Sequence, residues 1–265
     1  MRAPTSGRIS LIAGSLLVCL VAVSVVACAR NERQQSDAIG SSTAVTFDAG
    51  GVELAGRLFG SEDATAGVVL AHMLPADQSA WYRTADALSD LGYRVLTFDF
   101  RGFCPGGDAG CSEGDLDVDA APTDLAAALT YLRSQGVTSA ALVGASMGGT
   151  AALVVSADEG DGVGAVITLS APQVIQGLSA GPDVLATITA AKLFIASTGD
   201  PTAAGAAQAF FDESLQPKRL EIVTSDDHGT DLLEGNQGSQ VSRLIEGWLT
   251  THVPPAGTPS EETGA

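Results

Sequence analysis

Positive charge is scarce in this 265-residue chain: 13 Lys and Arg stand against 31 Asp and Glu, a formal charge of -18. So acidic a chain repels phosphate backbones, which argues against nucleic-acid binding, and a solvated acidic surface is the ordinary reading of such a balance. Histidine is rarer still. Any reaction that needs an imidazole has only His72, His228 and His252 to draw on. Of the four cysteines, Cys19, Cys28, Cys104 and Cys111, none is accompanied by a His/Cys pair at zinc-ligand spacing, so a structural zinc site is not expected. No internal repeat is present.

The first long feature is an uncharged stretch from Ile9 to Ala27, preceded by Arg2 and Arg8 and ending in Val25-Val26-Ala27-Cys28. This arrangement predicts an export signal over residues 1–27. The Val-Val-Ala-Cys ending resembles the lipobox of bacterial lipoproteins, which implies cleavage before Cys28 and a lipid on that cysteine as the membrane anchor. An uncleaved membrane helix is the alternative, because the stretch is near the minimum spanning length. Both readings place the rest of the chain outside the cytoplasm. There Cys104 and Cys111, seven residues apart in a Gly-rich loop, are a natural disulfide pair. Residues 28–42 are polar and aperiodic and predict a flexible tether, while 254–265, rich in Pro, Gly, Thr and Glu, predict a disordered tail. The 211 residues from 43 to 253 suit one sizeable core.

Within that core, short apolar runs alternate with helical patterns. Strands are expected over 44–47, 52–58, 67–71, 94–98, 140–143, 165–169, 193–196 and 220–223, and helices over 79–91, 120–135, 146–158, 203–215 and 238–251. Two strands followed by alternation predict an α/β fold: a mostly parallel sheet of about eight strands with helices on both faces. In such sheets ligands bind beyond the carboxyl ends of the strands.

The pattern G-x-S-x-G occurs three times, around Ser112, Ser146 and Ser179, so the motif alone discriminates nothing. Ser146 is the copy with a strand-like run behind it and a helix-like stretch ahead, the context in which a sharp turn exposes a nucleophile. The following helix aims its N-terminus at the site, where the Met147 amide is free to bond a developing oxyanion. A serine hydroxyl needs a base. His228, in the polar loop Ser225-Asp226-Asp227-His228-Gly229 between a strand run and the last helix, is the candidate. His72 ends a strand run and reads equally as a hydrogen-bonded structural group, and His252 borders the tail as a surface residue. Asp200, in Ser197-Thr198-Gly199-Asp200-Pro201, is the candidate acid, although an N-cap role ahead of Pro201 explains it without catalysis. Asp226 and Asp227 are fallback partners. The order Ser146, Asp200, His228 is that of one hydrolase fold.

On these residues the chain resembles the α/β-hydrolase family over almost all of residues 43–253. Ala71-His72-Met73-Leu74-Pro75 with Trp81 is similar to its His-Gly-x-Pro oxyanion loop, Asp99-Phe100-Arg101-Gly102 to its Asp-x-Arg-Gly turn, and Gly144 to Gly149 to its nucleophile elbow. The resemblance implies that the Leu74 and Met147 amides are the oxyanion donors. Met73 departs from the family's usual glycine and restricts the backbone there. The loop from Phe103 to Gly114 is a second departure. Between Ser170 and Ala191 there are 22 residues, no room for a sizeable lid, so an open site like that of the dienelactone hydrolase branch is implied, with serine in place of that branch's frequent cysteine. Open sites suit short acyl esters or esters presented on a larger surface. Leu74, Trp81, Phe103 and Pro172 are within reach of such a site. The expectation is a lipid-anchored serine hydrolase of carboxylic esters, needing no metal or organic cofactor. The competing readings are a non-catalytic binding lipoprotein and an acyltransferase using the same triad. Asp115, Asp117 and Asp119 read as an acidic lead-in to a helix and not as a calcium loop, because the glycine turn and terminal glutamate are missing.

Overall fold

The computed structural model describes residues 38–256, so the proposed signal, the lipidation site Cys28, most of the tether and most of the tail lie outside the described residues. The described residues form ten strands: β1 (Thr43–Asp48), β2 (Glu53–Phe59), β3 (Ala66–Ala71), β4 (Arg94–Phe98), β5 (Ser139–Ala145), β6 (Ala165–Leu169), β7 (Val174–Ile175), β8 (Leu178–Ser179), β9 (Ala191–Ser197) and β10 (Lys218–Val223). Eight of them form one sheet in the order β1-β2-β4-β3-β5-β6-β9-β10. β1 and β2 pair antiparallel, as do β2 and β4, and every other neighbour pair in this sheet is parallel.

Helices cover both faces because the inner strands are apolar on both sides. On β3, Val69 and Ala71 belong to the same buried cluster as Leu125 of α2 (Ala121–Ser134), Ala151 of α3 (Met147–Glu159) and Phe210 of α5 (Pro201–Glu213). Val68 and Leu70 face the other way and belong to the cluster that holds Leu88 of α1 (Tyr82–Asp90) and Val241 and Ile245 of α6 (Gly238–His252). Each such fully buried Leu, Ile or Phe side chain contributes roughly 1.5–3 kcal/mol of transfer free energy.

The expected runs all lie in or overlap strands, and most differences are at the ends. β9 reaches back to include Lys192, polar by type yet fully buried, because its ammonium turns onto the carbonyls of Ile188 (2.9 Å) and Ala190 (2.6 Å). Burial lowers this lysine's pKa to about 8. The helix expected from 79 is first a 3-10 turn, Gln78–Trp81, whose Ser79 amide is capped by Asp77, and only then α1. The segment from Ser170 to Ala191 holds a two-stranded hairpin, β7 with β8, and the one-turn helix α4 (Pro182–Leu185), neither visible as a periodic pattern. The packed unit is wider than 43–253. Ala38 is fully buried, the Ser42 hydroxyl accepts from Arg57 Nε at 2.8 Å, and Pro255 is buried.

Candidate active site

β5 ends at Ala145, and α3 begins at Met147. Between them Ser146 has φ 47° and ψ -115°, a conformation L-residues rarely adopt. Its amide donates to the Leu169 carbonyl at 2.8 Å, and its carbonyl accepts from Gly149 and Thr150. Close approach dictates the surrounding glycines. A Cβ on Gly144 would lie 2.2 Å from the Gly148 carbonyl oxygen, and one on Gly148 2.5 Å from the Ala71 carbonyl oxygen. The Met147 amide, first in α3, has no intrahelical acceptor. The other two copies of the motif differ. Ser112 is buried, donating to the Asp99 carbonyl at 2.6 Å and accepting from the Ala55 amide at 2.9 Å, and Ser179 sits in the hairpin strand β8.

Beyond β9, Asp200 occupies the N-cap of α5, Oδ1 accepting from the Ala203 amide at 3.0 Å. Its Oδ2 lies 2.5 Å from His228 Nδ1. One carboxylate thus serves as both cap and histidine partner, so the two readings of Asp200 do not exclude each other. Partial burial works to raise its pKa, but the Ala203 and Thr202 amides together with His228 outweigh this and hold it below the usual aspartate range. An ionised Asp200 can only accept, so Nδ1 of His228 is the donor in this contact, and in the neutral imidazole that leaves Nε2 as the accepting nitrogen. The fallback residues are engaged elsewhere: the Asp227 carboxylate accepts from the Ser225 hydroxyl at 2.5 Å, and Asp226 packs against Gly199. His228 follows β10 and opens a 3-10 turn, Gly229–Leu233. A Cβ on Gly229 would stand 2.3 Å from Met73 Sδ and 3.5 Å from Ala145 Cβ, so the residue after His228 abuts the residue before Ser146. Among the described residues the Ser146 hydroxyl forms no hydrogen bond.

His72 directly follows β3 and is fully buried. Its Nδ1 donates to the Met73 carbonyl at 2.9 Å while Nε2 accepts the Phe100 amide at 3.1 Å, and burial lowers its pKa to about 4, so it is neutral and structural. Met73 lies outside the left-handed region: among the described residues, the non-glycine residues with positive φ are Ser146, Ser170 and Gln176. Its thioether fills the space beside Gly229 instead. Leu74 follows, half-buried. The turn after β4 explains its own residues. Asp99 accepts from the amide and side chain of Gln78, both at 2.8 Å, and burial raises its pKa to about 7. Arg101 makes a two-pronged pair with the buried Asp124 of α2, at 2.6 and 3.0 Å. Gly102 has φ 77°, and a Cβ there would lie 2.1 Å from the Leu116 amide.

Trp81 is fully buried in the core and so is not a pocket residue. Pro172 contributes a carbonyl to the Thr150 hydroxyl at 2.7 Å. His252 packs against Trp248 with the rings tilted by 54° and their centroids 4.4 Å apart. Asp117 caps the 3-10 turn Val118–Ala120, and Asp119 accepts from the Gly177 amide of the hairpin at 2.9 Å. Asp115 makes no such contact, being exposed before this turn. Cys104 and Cys111 form a disulfide. Gln78, buried among polar partners, escaped the sequence reading, since an isolated Gln in a loop carries no local signal.

Residues 68–211, more than half of the chain, match the family described as alpha/beta hydrolase fold. Among solved structures, the chain is similar to a dienelactone hydrolase from Anabaena variabilis: TM-score 0.66, 22% identity, covering 80% of this chain and 98% of that one. An esterase from Pyrococcus furiosus matches with a TM-score of 0.67 and 16% identity, over 80% and 91% of the two chains. The esterase domain of a Rhodothermus marinus protein matches with a TM-score of 0.61 and 24% identity, over 80% and 99%. At these identities the likeness is one of fold, and it agrees with the family match: this chain belongs to the alpha/beta hydrolase fold family.

Proposed function

We propose that this protein is a serine hydrolase of carboxylic esters, exported and held at the membrane by a lipid on Cys28. The observation that carries the reading is the 2.5 Å contact of Asp200 with His228 beside a strained Ser146 elbow. Asp200 orients the imidazole, and His228 Nε2 takes the Ser146 proton as Oγ attacks the ester carbonyl. The Met147 and Leu74 amides receive the oxyanion. Collapse breaks the ester C–O bond, the departing alkoxide takes from His228 the proton that came from Ser146 and leaves as the alcohol, and an acyl-enzyme remains on Ser146. Water, activated by the same imidazole, then releases the acid. The esterases and dienelactone hydrolase among the structural relatives support this chemistry, with a small-molecule or surface-presented ester as substrate. The His228 side chain is 41% exposed, which supports an open site.

Fluorophosphonate treatment followed by peptide mass spectrometry tests the nucleophile. An adduct on Ser146 that disappears in His228→Ala is expected. Ester turnover that survives in Ser146→Ala refutes the proposal. No Ser146-dependent turnover across a broad ester panel favours a binding protein, and a new ester or amide formed with added acceptors favours acyl transfer. For the anchor, incorporation of a labelled fatty acid should be lost in Cys28→Ala.

A further inference from the structure

The short segment that carries Leu74 is pinned at both ends on one turn. At its start His72 Nε2 accepts the Phe100 amide at 3.1 Å, and at its finish the Gln78 amide donates to Asp99 Oδ1 at 2.8 Å. The segment around the Cys104–Cys111 link touches both pins, through Phe103 just before the closed loop and Ala109 within it. The Phe103 ring lies edge-on to His72, 4.4 Å between centroids, and the Ala109 carbonyl accepts from Gln78 Nε2 at 2.7 Å. Every polar group of the Gln78 side chain is used: Nε2 also donates to Asp99 Oδ2 at 2.8 Å, and Oε1 accepts from the Thr97 hydroxyl at 2.9 Å.

We propose that Gln78 is a positioning residue for the Leu74 amide, and that the loop closed by Cys104–Cys111 holds Gln78 and His72 in place; this rests on the serine-hydrolase reading above. The cross-link spans Ala109, and backbone bonds from Gly106 to Gly110 (2.8 Å) and from Ser112 to Phe103 (2.8 Å) tighten the same loop. A surface loop so restrained offers its Ala109 carbonyl to a buried amide with little ordering left to do. When the loop is released, Gln78 loses one acceptor and Phe103 no longer caps His72, so the segment between them shifts. Oxyanion donors act on charge that appears only in the transition state, so the shift lowers kcat and leaves KM nearly unchanged.

The test compares wild type with Cys104→Ser/Cys111→Ser, Phe103→Ala and Gln78→Met, singly and combined, using 4-nitrophenyl butyrate. Both cysteines are exposed, so their replacement leaves the core intact. The expected result is a kcat about 10- to 100-fold lower with KM within about threefold, and a Gln78→Met effect that shrinks once the cysteines are gone. An unchanged kcat in the folded cysteine-pair variant overturns the proposal, as does a loss confined to KM. If Gln78→Met fails to fold, the cysteine-pair and Phe103→Ala variants decide by the same criterion. Hydrogen exchange over residues 72–78 is measured in parallel, and faster exchange in the cysteine-pair variant is expected. Unchanged exchange overturns the loop's role even if wild-type turnover proves independent of Ser146, a result that sinks the hydrolase reading separately.

Discussion

The two oxygens of Asp200 have separable jobs, and substitutions at this one position should split stability from catalysis. Oδ1 caps α5 through the Ala203 amide, and Oδ2 holds His228 Nδ1. Asn and Ser are N-caps comparable to Asp, whereas Ala leaves the Ala203 amide unmet, at a typical cost of about 1 kcal/mol. Asp200→Asn and Asp200→Ser should therefore unfold within about 0.5 kcal/mol of one another, with Asp200→Ala about 1 kcal/mol below them. Catalysis sorts differently. An amide or a short hydroxyl cannot fix the Nδ1-protonated tautomer or stabilise the imidazolium, and loss of that carboxylate function costs a Ser-His-Asp enzyme about 10⁴-fold in kcat. All three variants should fall by roughly 10³- to 10⁴-fold, whatever their stability. Urea unfolding supplies one axis and steady-state ester hydrolysis the other. Turnover in Asp200→Asn within tenfold of wild type would refute the assignment. Equal stability of the Ala and Ser variants would refute the cap.

Gly148→Ala forces a Cβ to within 2.5 and 2.6 Å of the Ala71 and His72 carbonyl oxygens, so a loss of about 1–3 kcal/mol in urea unfolding and a collapse of fluorophosphonate labelling are expected. Removing the Cys104–Cys111 link, which joins residues seven apart, should lower stability by about 2.5 kcal/mol on the chain-entropy relation, read as a shift in urea midpoint at constant pH. His72 and Asp99 lie 3.7 Å apart, with pKa values of about 4 and about 7. Depression of the His72 value stabilises above pH 6.5 and is lost as pH falls to about 4. Elevation of the Asp99 value stabilises below about pH 4 and is lost as pH rises to about 7. Folded and unfolded chains each keep one proton on this pair between about pH 4 and 6.5, so its contribution to stability is flat there. Asp99→Asn leaves His72 uncompensated, so relative to wild type the variant's stability should climb with pH across that window. A wild-type-like pH profile would show the pair to be uncoupled from folding.

What the sequence determined by itself is local. The glycines at 144, 148 and 149 go with a turn too tight for a Cβ, and the strand-like run before Ser146 separates it from Ser112 and Ser179, since backbone sterics and periodicity act over a few residues. Strand runs buried on both faces were legible for the same reason, as were the paired cysteines, close enough in the chain to reach one another. Tertiary structure decided what depends on partners far away in sequence. It brought Asp200 to His228 across 28 residues while leaving it the cap of α5, and it turned Asp226 and Asp227 aside. It buried Trp81, and it folded residues 38–42 onto the domain through Arg57. Gln78 shows the limit most sharply. Its meaning lies in Asp99, Thr97 and Ala109, 19 to 31 residues away, and a hydrogen-bond hub whose members share no local pattern exists only once the chain has folded.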